Sequence, residues 1–307
     1  MSIRAKFLTL MMRYTVKRLL ENISTDDPEK FRDDIGAAAR FAPSLPSEAA
    51  VVAEEAKSVP CEWVSYGESR GDQVHLYLHG GGYVLGLAAE HRELAWRLAR
   101  QAELRVLMVD YRLAPEYPFP AALEDATNSY RWLLEQGHDP ENISVGGDSA
   151  GGGLCMALLI NLRNQGLPLP NAALLLSPWV DLSCSGDSAG RNAVIDPILS
   201  PAPLDKFARF YVGDRDMRAP LVSPVFADLK GLPPVLVHVG STEVLLSDAE
   251  RLVDRVNTVG GDAHLNVWPD MPHVFQLLAN RIPEAKTAIT ELCEFLKSYM
   301  PVSAEVE

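Results

Sequence analysis

From about residue 60 onward, short apolar runs rich in β-branched residues alternate with longer helical ones, and no other feature limits the possible folds as strongly. The short runs are 61–66, 73–78, 105–110, 143–146, 172–177, 234–239 and 264–268. Helical spacing of apolar residues falls near 90–101, 121–136, 150–165, 246–258 and 283–299. Strands apolar on nearly every residue have no face to give to water, so they belong in a mostly parallel sheet covered by helices on both sides. The expected fold class is α/β. In such sheets ligands and catalytic groups collect beyond the carboxyl ends of the strands. The residues that follow the strands are therefore the ones to read for function.

Two segments break this rhythm. Residues 1–50 read as helical and then Pro-rich (Pro43, Pro46), and 183–224 carry Pro197, Pro201, Pro203, Pro220 and Pro224 around a helical stretch at 204–212. Insertions of this kind in an α/β scaffold commonly form lids. The expected division is a catalytic domain of 51–182 and 225–307, with 1–50 and 183–224 as two parts of a cap. Near the start, Ile3, Phe7, Leu10, Met11 and Tyr14 recur at helical spacing among Arg4, Lys6, Arg13, Lys17 and Arg18. The uninterrupted apolar stretch is too short for a signal peptide or a membrane span, so no stable membrane insertion is expected. An amphipathic helix of this kind packs on its own protein or touches a membrane surface, and packing is the commoner outcome.

A net charge of −13 disfavours nucleic acid, which needs a basic surface, and no Lys/Arg cluster rescues that idea, so no nucleic-acid partner is expected. Four well-separated cysteines (Cys61, Cys155, Cys184, Cys293) show neither C-x-x-C nor paired zinc spacing, and read as reduced thiols of a cytoplasmic protein.

The pentapeptide G-D-S-A-G occurs at 147–151 and again at 186–190, and both copies match G-x-S-x-G. A nucleophile elbow needs a strand leading in, a sharp turn at the serine, and a helix leading out. Ser149 has all three, since I-S-V-G-G precedes it and G-G-G-L-C-M-A-L-L-I-N-L-R follows. Behind Ser188, prolines come too soon for a proper helix. Ser149 is the expected nucleophile and Ser188 a decoy. The glycines fit neither a P-loop nor G-x-G-x-x-G, so a phosphate loop is rejected.

Directly after run 73–78 comes H-G-G-G-Y (79–83), an arrangement that turns backbone N–H groups toward a developing oxyanion. The expected donors are Gly81, Gly82 and Ala150. His75 and His79 share a strand face, but spacing offers no third metal ligand, so no metal and no cofactor is expected. His79 is assigned an orienting role within the loop. Of seven histidines, only His264 and His273 follow every candidate acid, and His273 sits in a loop beyond a strand end, where a base must be. For the acid, Glu243 lies a few residues past run 234–239, with Asp181 and Asp248 as the alternatives.

With those residues in place, the chain resembles the hormone-sensitive-lipase-like esterases (bacterial family IV) of the α/β-hydrolase superfamily. The blocks that carry the resemblance are H-G-G-G-Y-V-L-G (79–86), V-D-Y-R-L-A-P-E-Y-P-F-P-A-A-L-E-D (109–125), G-G-D-S-A-G-G (146–152), S-P-W-V-D-L-S (177–183) and P-H-V-F (272–275). It implies an α/β-hydrolase fold with a helical cap and a triad at Ser149, Glu243 and His273. The implied activity is serine carboxylesterase, acting on short- to medium-chain esters of small molecules without a cofactor, in a protein that often pairs as a homodimer. One departure is visible: many members carry Asp-Pro-Leu where this chain has Glu243-Val244-Leu245. Amide or formamide hydrolysis by the same triad is the alternative activity. A non-catalytic receptor, like the plant gibberellin receptor of similar sequence that lacks the histidine, is disfavoured because all three triad positions are filled.

Overall fold

The computed structural model describes residues 1–22, 32, 44–67, 69 and 72–301; the N-terminal residues 23–31 and 33–43, Pro43 among them, lie outside the described residues. Eight strands form one sheet: β1 (Ala49–Ala56), β2 (Val59–Tyr66), β3 (Val74–Leu78), β4 (Arg105–Val109), β5 (Ile143–Asp148), β6 (Ala172–Leu176), β7 (Val235–Gly240) and β8 (Ala263–Trp268). Their order is β1-β2-β4-β3-β5-β6-β7-β8, and β2 alone runs against the rest, being antiparallel to both β1 and β4. All other neighbours pair in parallel.

Alternation along the central strands feeds two cores. Leu76, Leu78, Val145 and Val237 pack with Leu154, Leu158 and Tyr130 on one face. Tyr77, Leu174 and Leu236 pack with Leu94, Leu98, Ile289 and Leu292 on the other. Each fully buried leucine contributes about 1.5–3 kcal/mol relative to exposure. The first core is held by α4 (Ala121–Glu135) and α5 (Ala150–Asn164), the second by α3 (Ala89–Ala102) and α9 (Pro283–Tyr299). All seven strands and all five long helices expected from the sequence are present, displaced by three residues or fewer at any end.

β1 is an addition to that expectation. Its Ala-Ala-Val-Val-Ala-Glu-Glu-Ala sequence lies on the sheet edge, mostly exposed, without strict alternation. The hairpin to β2 turns at Lys57 and Ser58, both at positive φ (53° and 67°), where the usual Asn-Gly signal is missing.

The N-terminus forms α1 (Ile3–Tyr14) and α2 (Val16–Glu21), and the insertion forms α6 (Asp187–Arg191) and α7 (Pro201–Val212). The expected packing of the α1 stripe fails. Ile3, Phe7, Leu10, Met11 and Tyr14 are all exposed, and the helix is seated through its other face by Ala5 and Leu8. Ser2 fixes this orientation, because its hydroxyl caps Ala5 N–H and also donates to Glu284 at the start of α9. The remaining long helix, α8 (Leu246–Thr258), follows β7.

Candidate active site

Ser149 stands between β5 and α5 with φ 53° and ψ −121°, a conformation that a side-chain-bearing residue adopts only under constraint. Three backbone hydrogen bonds supply the constraint: Ser149 N–H donates to Leu176 O (2.8 Å), and Ser149 O accepts from Trp179 N–H (2.9 Å) and Gly153 N–H (3.2 Å). The bend also requires bare backbone at Gly151, where a Cβ would fall 2.0 Å from the Leu78 carbonyl oxygen. The sequence encodes the elbow locally, as a buried strand ending in Gly-Gly-Asp followed by small residues that admit a helix close to the sheet.

The H-G-G-G-Y loop follows β3, and Gly81 and Gly82 take φ of 112° and 64°. Asp148, the residue before Ser149, binds this loop to the elbow. Its Oδ1 accepts from Gly80 N–H (2.8 Å) and the Tyr77 hydroxyl (2.7 Å), and His91 Nε2 lies 3.4 Å away. Burial alone would raise the Asp148 pKa, yet His91 and these donors hold it below the ordinary carboxylate value. His79 is buried, stacks on Tyr111 at 4.2 Å between ring centroids, and points Nδ1 at Gly80 O (2.8 Å). Burial pushes its pKa down to about 4, so the ring is neutral and braces the loop. His75 instead meets the Ser144 hydroxyl inside the sheet (2.8 Å), and among the described residues no three His, Cys, Asp or Glu side chains are grouped to hold a metal.

His273 lies beyond β8, with its Nδ1 2.7 Å from Glu243 Oε2. Burial lowers the imidazole pKa, but the hydrogen bond to Glu243 and its charge, with Asp196 and Asp148 adding to them, outweigh burial and raise it above 6.5. The other Glu243 oxygen, Oε1, accepts from the Ser177 hydroxyl (2.7 Å) and from Gly240 N–H. Ser177 Oγ in turn accepts Val274 N–H (3.1 Å), so one hydroxyl sets both Glu243 and the loop of His273.

The alternative acids are engaged elsewhere. Asp181 binds Arg251 (2.7 Å), Ser183 and Ser185, and Asp248 accepts the Val180 and Asp181 N–H groups (both 2.9 Å). Neither has a hydrogen bond to His273. His264 is exposed and pairs with Asp262 at 2.9 Å.

Several residues hold the Glu243 turn without the sequence having assigned them that place. Asp196 accepts Ile198, Leu199 and Val244 N–H at 2.8, 2.9 and 2.8 Å. Asn192 donates to Glu243 O (2.8 Å), and the Ser188 hydroxyl donates to Val244 O (2.6 Å) while accepting Ser247 N–H (2.8 Å). The inserted segment is thus fastened to the turn that carries Glu243. The Val244 N–H used by Asp196 is one that a proline, as in Asp-Pro-Leu, would lack.

Ser149, His273, Gly81 and Gly82 line one cavity of about 400 Å³. Its apolar wall includes Met12, Val16 and Leu20 from α1 and α2 and Leu204 and Phe207 from α7, so both segments that interrupt the α/β rhythm border it.

A profile of the alpha/beta hydrolase fold matches residues 75–277. The chain is 44% identical over 237 residues to an acetyl-hydrolase of Streptomyces hygroscopicus, covering 77% of this chain and 79% of that protein. It is 37% identical over 233 residues to an esterase of Acinetobacter venetianus, covering 75% and 77% respectively. A crystal structure of an esterase from the bacterial hormone-sensitive lipase family superposes with a TM-score of 0.90 at 43% identity, over 98% of this chain and 99% of that one. The structure of EstE5 soaked with p-nitrophenyl butyrate gives 0.88 at 38%, over 97% and 99%. By profile, sequence and superposition, the chain belongs to the alpha/beta hydrolase family and, within it, to the hormone-sensitive-lipase-like branch.

Proposed function

We propose that the protein is a serine carboxylesterase that cleaves short- to medium-chain esters of small molecules through an acyl-enzyme on Ser149. His273 Nε2 takes the Ser149 proton as Oγ bonds the ester carbonyl carbon, and the carbonyl oxygen takes up the negative charge. The N–H groups of Gly81, Gly82 and Ala150 hold that oxygen; one such donor is worth about 10²–10³ in rate. Collapse breaks the carbon–alkoxy bond, and His273 returns the proton to the departing alcohol. Water then repeats the sequence and frees the acid. Glu243 accepts a hydrogen bond from Nδ1–H, fixing the tautomer and stabilising the imidazolium.

The single observation that carries this reading is the 2.7 Å contact between Glu243 and His273, beside a strained serine that borders the same cavity. Residues 1–50 and 183–224 act as the cap in this reading, closing a mainly apolar pocket over the acyl chain. Buried, unpaired Cys61, Cys155 and Cys293 suit a reducing compartment, and we assign the protein to the cytoplasm. A homodimer, which the resemblance implies, has the open edge of β8 available for pairing.

The test is hydrolysis of p-nitrophenyl esters of increasing acyl length by purified protein. Turnover that peaks at short or medium chains, preceded by a burst of one p-nitrophenol per active serine, is the expected result. Folded protein that binds these esters without turnover would overturn it.

A further inference from the structure

Among the described residues, nothing covers the outer face of α1. Ile3 is 85% exposed, Phe7 71%, Leu10 53% and Tyr14 57%, and Met11 lies among them. Val194, 80% exposed, and Ile195 stand on a loop held beside the end of this helix, where Arg13 donates to Ile195 O (2.7 Å) and Lys17 to Ala193 O (2.6 Å). Singly exposed apolar residues are ordinary, but five large ones on one helix face, with two more on the adjoining loop, mark an interaction surface.

Charge selects the partner. The first twenty residues carry five Lys or Arg and no Asp or Glu, in a chain of net charge −13. At about 100° per residue, Arg4 falls on one flank of the exposed stripe and Lys6 and Arg13 on the other. Basic side chains flanking an apolar helix face suit the boundary between lipid headgroups and acyl chains, where their stems lie along the apolar layer. An anionic surface repels the rest of this acidic protein and attracts this face, so charge also orients the molecule. A second copy is the poorer occupant, since pairing two such faces opposes like charges.

We propose that α1 and the 194–195 tip dock on an anionic lipid–water interface, from which the enzyme draws esters dissolved there. The coupling is direct, for Met12 of α1 and Val16 and Leu20 of α2 line the cavity of Ser149. The inference rests on the ester-hydrolase reading for its substrate but not for the docking itself.

The test is sedimentation of the full chain with vesicles of mixed phosphatidylglycerol and phosphatidylcholine, against phosphatidylcholine alone, at low and high salt. The expected result is salt-sensitive binding to the anionic vesicles, weakened on the order of 100-fold by Phe7→Gln with Leu10→Gln. Arg4→Glu with Lys6→Glu should abolish the preference for anionic lipid. Both double variants should hydrolyse p-nitrophenyl acetate in free solution at the wild-type rate. The proposal is overturned if anionic vesicles bind no better than neutral ones, or if the glutamine variant binds as the wild type does. Self-association that the glutamine variant abolishes, without vesicle binding, would assign the face to a second copy. Loss of soluble turnover in the wild type would strike the esterase reading instead, and leaves the vesicle result to be read by itself.

Discussion

Residues 147–151 and 186–190 spell the same pentapeptide, yet the two serines occupy opposite situations. Ser149 directly follows a fully buried strand, sits at φ 53° and borders a cavity. Ser188 lies inside a five-residue helix, fully buried, with its hydroxyl committed to Val244 O and Ser247 N–H. The aspartates diverge in the same way. Asp148 is buried and ties the H-G-G-G-Y loop to the elbow, whereas Asp187 is exposed in the first turn of α6. A nucleophile must be strained and unspent, a strut relaxed and satisfied. The five letters decide neither; the strand before and the helix after decide both.

The comparison is broken most directly at the serines themselves. Ser149→Ala should lower kcat for a short p-nitrophenyl ester by at least about 10⁴-fold. Ser188→Ala should keep the rate within about tenfold. If Ser188→Ala is instead the dead enzyme, the assignment of nucleophile and strut is reversed.

The acid gives the next largest effect. Glu243→Gln should cost about 10²–10⁴ in kcat. Asp181→Asn, whose side chain belongs to the Arg251 cluster, should stay near wild type. The pH profile supplies an independent sign. The base proposed at His273 works only when neutral, and its pKa is raised above 6.5, so kcat/KM should climb through an acidic limb centred above that value. Glu243→Gln removes the carboxylate charge and the charge-assisted character of its hydrogen bond, leaving burial opposed mainly by Asp196 and Asp148, so the limb should move to lower pH. A limb that stays in place would separate Glu243 from the base.

Glycine substitutions sharpen the contrast in stability. Gly151→Ala would set a Cβ 2.0 Å from the Leu78 carbonyl oxygen, whereas a Cβ on Gly190 meets nothing within 4 Å. Gly151→Ala should destabilise by about 3 kcal/mol or more, with loss of activity as the elbow shifts. Gly190→Ala should be neutral or stabilising by up to about 1 kcal/mol, since alanine favours the helix. Thermal unfolding of the two variants checks both.

What was legible in the sequence follows from how locally it is specified. Strand, turn and helix around Ser149 are contiguous, and the loop and base could be placed because each follows a strand end. Ser177 and Asp196 were out of reach, as they act on residues 66 and 48 positions away through contacts that only the folded sheet creates. The choice among Glu243, Asp181 and Asp248 had the same character, turning on which carboxylate already held donors nearby. β1 was hidden for another reason, with weak alternation at an exposed edge and a turn built from Lys57 and Ser58. The α1 stripe was correctly periodic and wrongly assigned, because periodicity identifies an apolar face without saying what covers it.

The smallest effect is the most informative about the second pentapeptide. Ser188→Ala strips Val244 O and Ser247 N–H of a buried partner, which should cost about 1–3 kcal/mol of stability. Ser149→Ala loses no comparable bond and should unfold near the wild-type temperature. The two serines are thus expected to exchange their effects, one losing activity with stability kept, the other stability with activity largely kept. Asp196→Ala acts on the same turn through Val244 N–H, so its cost and that of Ser188→Ala should combine non-additively, whereas Gly190→Ala should add simply to either. Additive Ser188 and Asp196 effects would mean that the inserted segment merely lies against the acid turn. Coupling would mean that the second copy of the pentapeptide holds the acid of the first.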